Sequence, residues 1–199
     1  MKRRGGYRVR RRKIGAKKLP TSIRIPREET WTYDIPEGVT LTVKEGEVRA
    51  KGKLGETLRI LNDNYVRVSM KGKTLKIHVS KDNKRSRGIV GTWASEIKNL
   101  CNGVTTGFEY ELKIDYTHFP MRVSVKGNQV HVENFLGERS PRIAEIRGAT
   151  KVSVKGDKVI LNGIDKRDLG DTAANIERAT KIKGFDLRVF QDGIYILKG

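Results

Sequence analysis

Cysteine is almost missing from this 199-residue chain. Cys101 stands alone, so no intrachain disulfide can form, a pattern suited to a reducing compartment. Histidine is nearly as scarce. His78, His118 and His131 lie far apart, and with one cysteine they cannot make the clustered Cys/His set that zinc requires. Structural or surface positions are their ordinary use, with RNA contact the other reading. Apolar runs are short, and none approaches the roughly 20 residues of a membrane span. The first residues lack the apolar core of a secretory signal. They are Arg-rich like a mitochondrial presequence, but one Ser among several Gly and Pro is a poor match to one. No Walker A sequence, RRM signature or KH loop occurs.

Acidic residues are also missing from one stretch. Residues 1–27 hold 12 Lys or Arg and no Asp or Glu. Of 42 basic residues, 30 therefore face all 23 acids in the remainder, while the whole chain carries a formal net charge of +19. That charge points to a polyanionic partner and says nothing about fold. The dense like charges, together with Gly5, Gly6, Gly15 and Pro20, predict an arm that is disordered alone and ordered on a polyanion. Its candidate phosphate contacts are Arg3, Arg4, Arg8, Arg10, Arg11, Arg12, Lys13, Lys17 and Lys18. A merely solubilising tail is the blander reading.

After Pro36 the texture changes. Val39, Leu41 and Val43 alternate with polar residues, as do Val66, Val68 and Met70, then Leu75, Ile77 and Val79. This predicts half-buried antiparallel strands. Val90, Trp93, Ile97 and Leu100-Cys101 then fall at helical spacing, predicting a helix over about 84–102 closed by Gly103. The apolar side of that helix makes Cys101 an inert buried thiol rather than a nucleophile. Phe108, Tyr110, Leu112 and Ile114 read as the closing strand of a first unit.

The pattern restarts near a hinge at His118-Phe119-Pro120. Met121, Val123 and Val125 alternate, followed by Val130 and Val132, Val152 and Val154, and Val159 and Leu161. A second helix is predicted over about 166–182, with Asp165 as N-cap and Gly184 as its stop. A last hairpin is predicted from Arg188–Phe190 and Ile194–Leu197 across Gln191-Asp192-Gly193.

The two halves share spellings in order. Ser69-Met70-Lys71-Gly72 matches Ser153-Val154-Lys155-Gly156, and Leu54-Gly55-Glu56 matches Leu136-Gly137-Glu138. Gly91-Thr92-Trp93-Ala94-Ser95-Glu96-Ile97 matches Gly170-Asp171-Thr172-Ala173-Ala174-Asn175-Ile176. The predicted fold class is α+β. It comprises two tandem homologous domains, 35–118 and 119–199, each an antiparallel sheet packed on one helix, after a basic N-terminal arm, 1–34. Lys-Gly corners recur at Val43–Gly46, Val68–Gly72, Val123–Gly127 and Val152–Gly156. Their glycines read as turn chemistry, while Lys126 and Lys155 at the tips can reach a phosphate. No convergent nucleophile, base or metal set is visible, so no enzyme and no cofactor is expected.

Several longer stretches carry a resemblance. Asn175-Ile176-Glu177, Thr180-Lys181-Ile182-Lys183 and Arg188-Val189-Phe190-Gln191-Asp192-Gly193-Ile194-Tyr195 closely resemble the C-terminal signature of the universal large-subunit ribosomal protein L-six family, in its archaeal and eukaryotic form. Ile35-Pro36-Glu37-Gly38-Val39, Gly103-Val104-Thr105-Thr106-Gly107-Phe108, Tyr116-Thr117-His118-Phe119-Pro120 and Thr172-Ala173-Ala174-Asn175-Ile176 also match it. The resemblance implies two related α+β domains and a cytoplasmic, structural role on large-subunit ribosomal RNA. It also implies a place near the sarcin–ricin loop, beside neighbouring ribosomal proteins and docking translation factors. It puts most RNA contact in the C-terminal domain, hence Lys151, Lys155, Lys158, Lys166, Arg167, Lys181, Lys183 and Arg188. Phe190, Asp192, Gly193 and Tyr195 would form the last hairpin and its core. Members resembling this chain begin close to Ile35-Pro36, so the arm's role does not carry over. A basic DNA-binding or regulatory module is the alternative: it explains the charge and leaves the motifs unexplained.

Overall fold

A computed structural model of the chain describes residues 31–198 apart from Glu45 and Asp82. The order of elements opens with strand β1 (Trp31–Asp34). A meander of β2 (Thr40–Lys44), β3 (Glu47–Gly52) and β4 (Gly55–Ile60) follows, then a hairpin of β5 (Val66–Lys71) and β6 (Thr74–Val79), then helix α1 (Lys84–Thr105). The same order recurs. Strand β7 (Phe108–Asp115) precedes a meander of β8 (Arg122–Lys126), β9 (Gln129–Glu133) and β10 (Arg142–Glu145). A hairpin of β11 (Lys151–Lys155) and β12 (Lys158–Gly163) leads to helix α2 (Lys166–Ala179), and β13 (Gly193–Lys198) ends the series. All strand pairings are antiparallel, in sheets ordered β2-β3-β4, β1-β6-β5, β8-β9-β10 and β11-β12-β7-β13. The architecture is α+β.

Each helix buries the face its apolar spacing defines. On α1, Val90, Trp93, Ile97, Leu100, Cys101 and Val104 close a core with Val48, Leu75 and Ile77. On α2, Leu169, Ala173 and Ile176 close a second core with Leu112, Val132, Leu161 and Ile194. Asp165 caps α2, its carboxylate accepting the Arg167 N–H at 2.8 Å.

Several expectations are corrected. Trp31–Asp34, assigned to the arm, is strand β1, with Trp31 opposite Ile77 and Tyr33 opposite Leu75. Strand β7 does not close the first unit's sheet. It lies between β12 and β13, with Leu112 opposite both Val159 and Ile196. Helix α1 runs through Gly103 and ends at Thr105, with Thr106 as its cap and Gly107 just beyond, whose φ of +72° is the left-handed turn a glycine favours. Gly103 is needed for another reason: a Cβ there would collide with the Ile164 carbonyl oxygen.

Helix α2 stops at Ala179, well before Gly184. Arg142 donates to the Ala179 and Lys181 carbonyls at 2.9 Å each, and Thr180 Oγ1 donates to the Glu177 carbonyl at 3.2 Å, so the last turn is satisfied there. The expected last hairpin is absent among the described residues. Residues 186–190 fold into a turn in which Asp186 accepts the Arg188 N–H at 2.9 Å, and β13 pairs with β7 instead.

The two cores meet at a seam built on glycine. Ile164 lies against Gly103 and Gly55. Arg59 on β4 reaches Glu96 of α1 at 3.1 Å and Asp165 at 2.7 Å, with 17% of its side chain exposed. His118 is no hinge. Asp192, 1% exposed, accepts the N–H groups of Thr117 and His118 at 3.1 and 3.2 Å and faces His118 Nδ1 at 3.2 Å.

Candidate nucleic-acid interface

The sheet register decides which basic side chains stand together. Alternation puts Lys155 of β11, Lys158 of β12, Lys113 of β7 and Tyr195 of β13 in one cross-strand row. All four are exposed. Like charges directly opposite one another are destabilising, and carboxylates relieve this row. Glu111 pairs with Lys158, and Asp115 pairs with Lys113 at 2.9 Å. The Asp115 hydrogen bond raises the Lys113 ammonium above its usual pKa. Lys155 has no ion-pair partner among the described residues. Lys113 went unnoticed in the sequence because its neighbours come from strands 45 and more residues away, visible only through the register.

The Ile194 N–H donates to Thr180 Oγ1 at 3.0 Å, which brings the end of α2 to the start of β13. Lys181, Lys183 and Arg188 are therefore exposed at the same end of the sheet as the lysine row. Lys151, Lys166 and Arg167 stand at the opposite end. Lys151 is opposite Asn162, and Lys166 Nζ lies 5.7 Å from the Phe108 ring centre. The residues expected to bind phosphate thus fall into two groups at the two ends of one sheet. Lys126 occupies a third place, on the β8–β9 tip, and pairs with Glu133 at 3.7 Å.

Three of the repeated Lys-Gly corners are two-residue hairpin loops. Gly72, Gly127 and Gly156 take φ of +62°, +59° and +57° at the first loop position, where tight hairpins use glycine. Their glycines are accounted for by the turn, and only the flanking lysines remain open to a ligand. Arg3, Arg4, Arg8, Arg10, Arg11, Arg12, Lys13, Lys17 and Lys18 lie outside the described residues.

The remaining candidates for chemistry are structural. Burial pushes the Cys101 thiol up despite a hydrogen bond with Tyr33, leaving an inert group. Burial also acts to raise the Asp192 carboxyl. The N–H groups of Thr117, His118 and Phe119 and the His118 ring outweigh it and hold the group below the usual carboxylate value. The Asp192-Gly193 pair spells a turn, yet the partners of Asp192 are more than 70 residues away in the chain. No group of three or more metal-ligating side chains occurs among the described residues, and no helix there is long and apolar enough to cross a membrane.

Comparison with known proteins agrees with the resemblance. A family model described as Ribosomal protein L6 matches residues 119–193. The large ribosomal subunit protein uL6 of Thermoplasma volcanium is 67% identical over 177 residues, covering 85% of this chain and 96% of that protein. The uL6 proteins of Picrophilus torridus and Methanocella arvoryzae are 61% and 48% identical, over 83% and 85% of this chain and 92% and 96% of their own lengths.

Proposed function

The chain belongs to the ribosomal protein L6 family, and from that premise we propose that it is a structural component of the large ribosomal subunit that grips ribosomal RNA through phosphate contacts. It is not an enzyme. Its place is the cytoplasmic ribosome. The observation that carries the reading is the match to archaeal uL6 proteins, at 67% identity over 85% of this chain for one of them. The two ends of the β11-β12-β7-β13 sheet supply the contacts: Lys155, Lys158, Lys181, Lys183 and Arg188 at one, Lys151, Lys166 and Arg167 at the other. Lys126 and the arm residues Arg3 to Lys18 extend the footprint. The resemblance of the C-terminal signature supports a site near the sarcin–ricin loop, where translation factors and neighbouring ribosomal proteins would adjoin it.

The two halves descend from one duplicated unit in this reading. Drawn on strand pairing, the units are 31–106 and 107–198, in place of 35–118 and 119–199. The support is positional: Tyr33 and Leu75 face one another in the first half as Leu112 and Val159 do in the second.

The test is binding of the purified chain to a large-subunit RNA transcript carrying the sarcin–ricin loop, across 50 to 500 mM salt. An arm engaging roughly 6–10 phosphates predicts a double-logarithmic slope of about −5 to −9. Removal of residues 1–27 flattens that slope and leaves the fold intact. Salt-independent binding would overturn the electrostatic account, and preference for duplex DNA would favour a DNA-binding module instead.

A further inference from the structure

The segment between α2 and β13 has a feature that phosphate binding leaves unused. Three rings stand in a ladder. His118 stacks on Phe190 at 4.5 Å between centres, and Phe190 meets Phe185 at 4.8 Å, tilted by 47°. One end is anchored, because the buried Asp192 carboxylate holds both the backbone and the ring of His118. The other end is open. Phe185 is 51% exposed. Gly184, at φ +82°, turns the chain into this position.

Cations stand near the open ring in the chain, Lys183 two residues before it and Arg188 three after. Lys183 and Arg188 are exposed, and neither has an ion-pair partner among the described residues. The one acid between them, Asp186, turns its carboxylate back onto the Arg188 N–H at 2.9 Å. An aromatic face beside unpaired cations is the arrangement that binds unstacked bases in single-stranded nucleic acid, the ring taking the base and the cations taking the flanking phosphates.

We propose that Phe185, the open end of the His118–Phe190–Phe185 ladder, is a stacking platform for an unpaired nucleobase of the large-subunit RNA, with Lys183 and Arg188 on the flanking phosphates. This rests on the ribosomal reading and adds a base contact to its phosphate contacts. A ladder fixed at one end loses little freedom when a fourth ring joins it, so the platform is organised before RNA arrives. Leu187 and Val189, 64% and 60% exposed beside it, would meet ribose edges.

The experiment uses the full chain and a transcript carrying the sarcin–ricin loop, with binding followed by fluorescence anisotropy. Phe185→Ala should weaken binding by roughly 5- to 150-fold with an unchanged salt slope. Phe185→Tyr should keep most of the affinity. Lys183→Ala should weaken binding and make the slope shallower by about 1. In Phe185→Trp, emission from the new indole should be quenched as RNA is added. Wild-type affinity in Phe185→Ala would overturn the platform and leave the ribosomal reading intact. Failure of the wild-type chain to bind the transcript would overturn both. Loss of ribosome association in Phe185→Ala with full binding to naked RNA would give the surface to a protein partner, also against the proposal.

Discussion

Replacement of Asp192 by Asn tests the anchoring of the second unit. The native carboxylate is buried and accepts the N–H groups of Thr117 and His118, with that of Phe119 also turned toward it, besides facing the His118 ring. Hydrogen bonds to a charged group are worth about 1.5–3 kcal/mol each. Asn keeps one acceptor oxygen, loses the charge, and turns an NH2 toward donors. The expected loss at pH 7 is about 2–4 kcal/mol. The pH dependence has a definite sign. The folded-state pKa is depressed, so the stabilisation is fully present above the unfolded value of about 4 and is lost as pH falls through the folded one. Urea midpoints followed by circular dichroism should therefore separate wild type from Asp192→Asn at pH 7 and converge toward pH 3. Amide exchange at Thr117 and His118 should quicken in the variant. Equal midpoints at pH 7, or a gap that widens on acidification, would refute the reasoning.

Three further outcomes follow from the seam and the helices. Gly103→Ala should destabilise by about 2 kcal/mol or more in urea unfolding, because its Cβ meets the Ile164 carbonyl; helix propensity alone would predict a gain of roughly 1 kcal/mol. Gly91→Ala in the same helix meets nothing within 4 Å and should gain roughly 0.5–1 kcal/mol, so a loss there would undo the comparison. Arg59→Met should cost about 1–3 kcal/mol and speed amide exchange at the start of α2, since Glu96 and Asp165 lose their shared partner. Unchanged exchange at Arg167 would show that Arg59 does not join the units.

Local periodicity made the helices and hairpins legible. Val90, Trp93 and Ile97 can share a face only on a helix, because an odd spacing puts two residues on opposite faces of a strand, and the Lys-Gly corners announce turns wherever they occur. What periodicity cannot supply is a neighbour. Leu112 and Ile114 alternate in the same way whichever sheet receives β7, so sequence order alone places the strand with the unit preceding it. Trp31 and Tyr33 pass for arm because four residues after Glu28 and Glu29 are too short to show a period. Asp192-Gly193 has the spelling of a hairpin, yet Asp192 is fixed by Thr117 and His118 at the far end of β7. The candidate site shows the same division. Charge and resemblance pointed to Lys155, Lys158, Lys181, Lys183 and Arg188, while Lys113 and the open ring of Phe185 needed register and packing.

Sedimentation of cell extract on a sucrose gradient at moderate salt tests the central claim most directly. The chain should co-migrate with the large ribosomal subunit and leave it as salt is raised. Migration as a free protein at moderate salt would contradict the account.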